Sequence, residues 1–237
     1  EAVTEAERSF GDGRVIVERF ITRPRHVEVQ IVGDSHGTTI DLGTRECSVQ
    51  RRYQKLLEEA PAPNLAESTT TGLRESAVRM AGSIGYDSTG TVEFVVDDET
   101  GDYFFLEMNT RLQVEHPVTE EITGLDLVEL QLRVAGGGEL GLSAGDITFN
   151  GHAVEARINA EDATNGFVPQ LGQITALSVP AGVRWESSIE VGSEITPHYD
   201  PMIAKLIVHG VSRDAALRGL RNALDQLLIG GLVTNTG

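Results

Sequence analysis

Three stretches of the chain leave little freedom about its architecture, because two alternate polar and apolar residues with the two-residue period of a β-strand and the third reads as a hairpin. In "RHVEVQIVG" His26, Glu28 and Gln30 fall on one face and Val27, Val29 and Ile31 on the other. "HAVEARINA" repeats the pattern, setting Glu155, Arg157 and Asn159 against Val154, Ala156 and Ile158. A solvated face is the usual reason for such alternation, and a functional polar face is the alternative. The third stretch, "TVEFVVDDETGDYFFLEMN", places two β-rich runs around an Asp/Glu/Thr/Gly turn and predicts a hairpin. Centring the turn near Thr100 sets Glu93 opposite Glu107. Two carboxylates directly across a ladder repel. A divalent cation between them reverses the effect, and Asn109, on the same face as Glu107, adds a neutral oxygen ligand. A different register with two solvated glutamates is the competing arrangement.

Helical periods separate these strands. Leu73, Ala77, Met80 and Ile84 recur at helical spacing before Gly85, which predicts a helix packed on the core through that stripe. Asp126 and Glu129 resemble a capping box, and Gly136 to Gly138 end the helix that it opens. The linker candidate is "AGGGELGLSAGD". No strand precedes it and no helix with a Lys-Ser/Thr pair follows, so it reads as a helix stop and not a phosphate loop. A last amphipathic helix presents Leu217, Leu220, Leu224 and Leu227 inward. "EAVTEAERSFGDG" reads as the end of a helix, and with Glu1 in first place the expectation is an excised fragment.

Composition limits the function. With 19 basic against 36 acidic residues the net charge is −17, which argues against a general nucleic-acid or anionic-membrane surface. Only Lys55 and Lys205 are lysines. So acidic and Lys-poor a surface is expected of a protein kept soluble at high salt, as in a halophile, since carboxylate hydration resists salting-out while self-repulsion is screened. Cys47, the single cysteine, allows no internal disulfide, and no secretory signal or membrane span is evident, so a cytoplasmic setting is expected.

The motifs "PRHVEVQ", "ECSVQRRYQKLLEEAPAP", "EMNTRLQVEHPVTE", "GHAVEARINAED" and "HYDPMIAKLIVHG" together resemble a biotin carboxylase, in the family's order and over nearly the whole chain. The resemblance implies an α+β fold: the carboxyl-terminal portion of an ATP-grasp domain with an antiparallel sheet over 1–146, then a biotin carboxylase C-terminal domain over 147–237. It implies ATP-dependent carboxylation of biotin by bicarbonate through carboxyphosphate, in an acetyl- or propionyl-CoA type of acyl-CoA carboxylase. The implied cofactors are ATP, Mg²⁺ or Mn²⁺, and biotin carried elsewhere. A biotin carboxyl carrier domain and a carboxyltransferase subunit are the implied partners, with neither nucleic acid nor membrane.

The same resemblance assigns residues. Glu93, Glu107 and Asn109 match the metal set. Glu18, Arg19, His26, Gln50, Tyr53, Lys55, Glu93 and Glu107 match nucleotide contacts, with "VERFI" resembling the hinge strand whose backbone reads adenine; Arg19 and Tyr53 stand where many members have lysine and histidine. Arg111, Gln113 and the amide of Val114 match the bicarbonate pocket, Lys55 the lysine beside it, and Glu115 the base. Arg157 matches the cation that stabilises the ureido oxygen of biotin. Arg184 falls where bacterial members form a homodimer, although "AG" replaces the bulkier aromatic stretch common there. The lid over ATP and a biotinylation motif find no match. Two rivals are another ATP-grasp ligase, such as half of a carbamoyl-phosphate synthetase, and a non-catalytic carboxylase-like assembly domain.

Overall fold

The computed structural model describes residues 1–236. In chain order the elements are α1 (Ala2–Phe10), β1 (Pro24–Gly33), β2 (Thr39–Arg51), β3 (Gln54–Ala60), α2 (Glu67–Ser83), β4 (Thr89–Asp97), β5 (Tyr103–Asn109), α3 (His116–Thr123) and α4 (Leu127–Ala135). A 3₁₀ turn at Ala144–Asp146 leads to β6 (His152–Asn159). There follow β7 (Glu161–Asp162), β8 (Val168–Pro169), β9 (Gly172–Gln173), β10 (Ala176–Ser178), β11 (Arg184–Ser187), β12 (Glu194–Ile195), β13 (Met202–Gly210), α5 (Arg213–Gln226) and β14 (Leu228–Gly230).

One eight-stranded sheet dominates, in the order β11-β13-β6-β3-β2-β1-β4-β5, and every neighbouring pair in it is antiparallel. The expected division after residue 146 lies in the 3₁₀ turn, and the sheet runs across it because β3 pairs with β6. The remaining short strands form three two-stranded ladders beside it.

The sheet has two chemically different faces, both covered. Val27, Val29 and Ile31 pack with Val92, Phe94 and Val96 under Leu73, Ala77 and Ala81 of α2. On the same face Val154, Ala156 and Ile158 pack under Ala216, Leu220 and Ala223 of α5. On the opposite face Val118 and Ile122 of α3 close over Ala60, Ala153 and Ile207, while α4 packs on Val32, Ile40 and Leu42. The polar faces of β1 and β6 are therefore buried: Glu28, Gln30 and Glu155 have no exposed surface. Solvation does not account for the alternation, because α3 lies over β6 and α4 over β1 where water was expected.

Two sequence expectations are corrected here. Ile84 caps α2 and is 62% exposed, since the helix ends at Ser83 and Gly85 turns the chain with φ +63°; Ala81 takes the inward place. "VERFI" forms no strand: a strand needs a paired neighbour and none of the described residues supplies one, which leaves Val17 and Phe20 exposed.

Candidate active site

The predicted hairpin forms with the predicted pairing at its open end. Thr91, Val92 and Glu93 oppose Asn109, Met108 and Glu107, and a bulge then shifts the register by one before the turn. Glu93 is also the cross-strand neighbour of Glu28, and Glu28 of Arg45. A row of charged side chains, Arg45, Glu28, Glu93 and Glu107, thus crosses four adjacent strands.

A cavity of about 380 Å³ opens over the Glu93 and Glu107 end of this row. His26, Tyr53, Lys55, Glu93, Glu107, Asn109, Arg111, Gln113, Val114, Glu115 and Arg157 all line it, so eleven of the predicted positions meet in one place. Lys55 Nζ donates to Glu28 Oε2 (2.7 Å), Glu93 Oε1 (3.0 Å) and Glu115 Oε1 (2.5 Å). Burial pulls the Lys55 pKa down, but Glu28 and its other anionic neighbours hold it well above the usual lysine value. Glu115, the N-cap residue of α3, is 2% exposed and joins Lys55 to Arg157, whose Nη2 donates to its Oε2 at 3.1 Å. Arg157 Nε donates to Glu58 at 2.6 Å.

The carboxylate of Glu93 is the most heavily engaged. His26 Nε2 lies 2.8 Å from it, Gln113 Nε2 donates to it at 2.7 Å, and Lys55 adds a third contact. Burial raises its pKa, yet His26 and Lys55 outweigh that and bring it to about 2. Asn109 Nδ2 donates to Glu93 Oε1 (3.1 Å) and Glu107 Oε1 (3.0 Å), standing between the opposed carboxylates. Oxygen and nitrogen of an amide exchange places on a flip, and the flipped Asn109 presents Oδ1 to the same spot. The result is an all-oxygen donor set, which fits a hard divalent cation.

Three predicted residues lie outside this cavity. Gln50 donates to His26 Nδ1 at 2.9 Å and to the Cys47 carbonyl at 2.7 Å, so it orients the imidazole. Glu18 and Arg19 line a second groove with Phe104, Phe105 and Leu106, where Arg19 sits 5.2 Å over the Phe104 ring. β5 connects the two, since it carries Phe104 in the groove and Glu107 in the cavity. Tyr53 is 98% exposed at the tip of a two-residue turn in which Arg52 and Tyr53 both have positive φ. The Gln113 side chain is bound at both ends, by Arg45 and Glu93, so only one of its N–H groups remains for a ligand. The Val114 carbonyl accepts from Lys205 Nζ at 2.7 Å. Arg184 is engaged by Glu120, Glu121 and Glu186 of its own chain.

Sequence reasoning missed Arg45, Glu58 and Lys205. Arg45 is fully buried and donates to Glu28, Gln30, Thr91, Gln113 and Thr119. A charge inside a β-rich run was the available signal for Arg45, and the scarcity of lysine for Lys205.

A family model described as the carbamoyl-phosphate synthase L chain ATP binding domain matches residues 1–143, and a biotin carboxylase C-terminal domain model matches 155–237. The chain is 53% identical over 239 residues to a mitochondrial methylcrotonoyl-CoA carboxylase subunit alpha of Oryza sativa subsp. japonica, covering 100% of this chain and 32% of that one. It is 52% identical over 228 residues to biotin carboxylase 2 of Bacillus subtilis (strain 168), covering 95% and 51%. Among solved structures, the biotin carboxylase domain dimer of Hydrogenobacter thermophilus 2-oxoglutarate carboxylase, in complex with MgADP, ADP and bicarbonate, superposes with a TM-score of 0.92 at 46% identity, over 99% of this chain and 52% of that one. The chain thus spans about a third to a half of the length of these relatives. No helix among the described residues is long and apolar enough to cross a membrane.

Proposed function

The chain belongs to the biotin carboxylases, and from that membership we propose that its cavity, within a full-length carboxylase, is where ATP and bicarbonate carboxylate carrier-linked biotin. The observation that carries the proposal is the unbroken line Lys55, Glu115, Arg157 beside the opposed Glu93 and Glu107. Each member of that line suits one step of the chemistry.

Arg111 and the Val114 N–H hold bicarbonate, with the remaining Gln113 N–H as a further donor. Glu115 takes the proton of bicarbonate while its oxygen attacks the γ-phosphorus of ATP, giving carboxyphosphate and ADP. Lys55 stabilises the charge that Glu115 and the phosphates carry, and holding the reactants together supplies much of the rate. Glu93, Glu107 and Asn109 hold a divalent cation, Mg²⁺ or Mn²⁺, which spreads phosphate charge. The nucleotide base lies towards the groove of Glu18, Arg19 and Phe104. Carboxyphosphate yields CO₂ and phosphate, the phosphate removes the ureido proton of biotin, and Arg157 stabilises the negative ureido oxygen so formed.

The partners in this reading are a biotin carboxyl carrier domain, a carboxyltransferase and a second copy of the chain; the acceptor is an acyl-CoA of the acetyl- or propionyl-CoA type, and the setting is cytoplasmic. The methylcrotonoyl-CoA relative supports the acyl-CoA class, and the solved dimer supports self-association.

The test separates the two steps. A preorganised donor to a developing oxyanion contributes roughly 3 kcal/mol, or about 10²-fold in rate. In the full-length enzyme Arg157→Gln is expected to lower carboxylation of free biotin by that factor while leaving the bicarbonate-dependent, biotin-independent ATPase within a few-fold. Arg111→Gln damages both. Equal loss of both activities in a folded Arg157 variant refutes the role given to Arg157.

A further inference from the structure

Beside Arg157 the polar face of the sheet carries more negative charge than its neighbours neutralise. Glu58 on β3 and Glu155 on β6 are direct partners across the antiparallel ladder, 1% and 0% exposed. One oxygen of Glu58 accepts from Arg157 Nε. Its other oxygen and both oxygens of Glu155 are buried without a hydrogen-bond partner among the described residues. Two ionised carboxylates side by side with three unmatched acceptors would be very costly in an interior.

The groups facing the pair do not relieve it. They are Arg157 on β6, Lys205 on β13, Glu115 at the start of α3, Glu28 on β1 and the buried thiol of Cys47 on β2, which carries no positive charge. Arg157 is committed to Glu58 and Glu115 through Nε and Nη2. Lys205 Nζ donates to the Val114 carbonyl and contacts Glu186 at 2.6 Å. Glu115 and Glu28 add negative charge. Among the described residues no cation donates a hydrogen bond to Glu155.

We propose that Glu58 and Glu155 share one proton, so that Glu155 donates to Glu58 and the pair presents a single negative charge to Arg157. One proton turns two facing acceptors into a donor and an acceptor. Burial acts in the same direction on both groups, raising Glu58 to about 7 and Glu155 well above the usual carboxylate range. The pair is a positioning device: Glu58 fixes Nε and Glu115 fixes Nη2, while Nη1 has no acceptor among the described residues and Arg157 lines the cavity. A second charge on the pair would draw the guanidinium back towards β3. This role deepens the carboxylase reading and rests on it; the shared proton itself does not.

Infrared spectra of the full-length carboxylase without substrates read the proton directly, as the carbonyl stretch of a protonated carboxylic acid near neutral pH. The band is expected in the wild type and is expected to vanish in Glu155→Gln and in Glu58→Gln, where an amide replaces the shared proton as donor. Its absence from the wild type, or its persistence in whichever of the two variants folds, overturns the proposal. Carboxylation of biotin provides the functional arm. The wild type is expected to lose activity at alkaline pH as the pair takes its second charge, and Glu155→Gln to lack that loss. An identical alkaline limb in Glu155→Gln, with the band present in the wild type, refutes the positioning role alone. A band with no biotin carboxylation in any form of the enzyme leaves the proton standing and removes the carboxylase reading.

Discussion

Arg45 shows how much of this site is built by a residue that never reaches the cavity. It has no exposed surface, and its guanidinium holds Glu28, Gln30, Thr91, Gln113 and Thr119 at 2.5 to 3.0 Å. Removing one partner of a buried ion pair leaves an uncompensated charge, which typically costs about 3–5 kcal/mol. Arg45→Met is therefore expected to lower stability by that order in urea unfolding, because Glu28 keeps only Lys55 as a hydrogen-bonded cation; a change under about 1 kcal/mol would mean that water replaces the guanidinium at little cost. Glu107 is the contrasting case, since its contact with Asn109 adds little to the fold. In the complete enzyme Glu107→Gln should shift the Mg²⁺ dependence of ATP turnover to higher concentration. An unchanged Mg²⁺ titration would show that the opposed carboxylates do not bind the metal.

At the scale of elements, the strands were legible because period two survives burial of both faces. The same pattern in β6 could not say that its polar side lies under α3, since contacts between residues far apart in sequence decide that. The pairing of Glu93 with Glu107 followed from the turn alone, while the bulge beyond it did not. Arg45 and Lys205 escaped notice because each acts across the sheet: Arg45 reaches Thr119 on α3, and Lys205 reaches the Val114 carbonyl. "VERFI" was misread because a strand is defined by its partner and not by its own residues. α5 adds a polar lock to its apolar stripe. Glu59 on β3 accepts from Arg213 at 2.6 and 2.9 Å and contacts His152 Nε2 at 2.6 Å. Burial raises the Glu59 pKa, but His152 and Arg213 more than offset that and hold it below its usual value. A depressed carboxylate pKa stabilises the fold above the unfolded value, and the contribution is lost as pH falls through the folded value. The docking of α5 should accordingly weaken on acidification below the ordinary carboxylate range, and Glu59→Gln should flatten that slope. Amide exchange of α5 measured against pH checks this; equal slopes in both proteins would assign the acid sensitivity to other carboxylates.

The whole molecule has a continuous hydrogen-bonded sheet from β11 to β5, so the two matched family regions share one sheet and not merely a linker. Its charge is distributed unevenly through that core and its surface. The buried carboxylates Glu28, Glu93 and Glu115 meet Arg45, Lys55 and Arg157 at close range, where salt screens weakly. The excess, which gives −17 over 237 residues, acts across solvent. There the screening length falls from roughly 30 Å at 0.01 M to about 3 Å at 1 M. Added KCl should then relieve surface repulsion while leaving the buried pairs nearly intact, so the melting temperature should rise from low to molar KCl. Sodium sulfate strengthens apolar burial in most proteins, so KCl, a weaker agent of that kind, is the more discriminating salt. The rise should be steepest at the low end, where each increment of salt shortens the screening length most. A melting temperature that stays flat or falls over the same range would show that repulsion among the 36 acidic residues does not limit stability, and would separate the composition from any adaptation to salt.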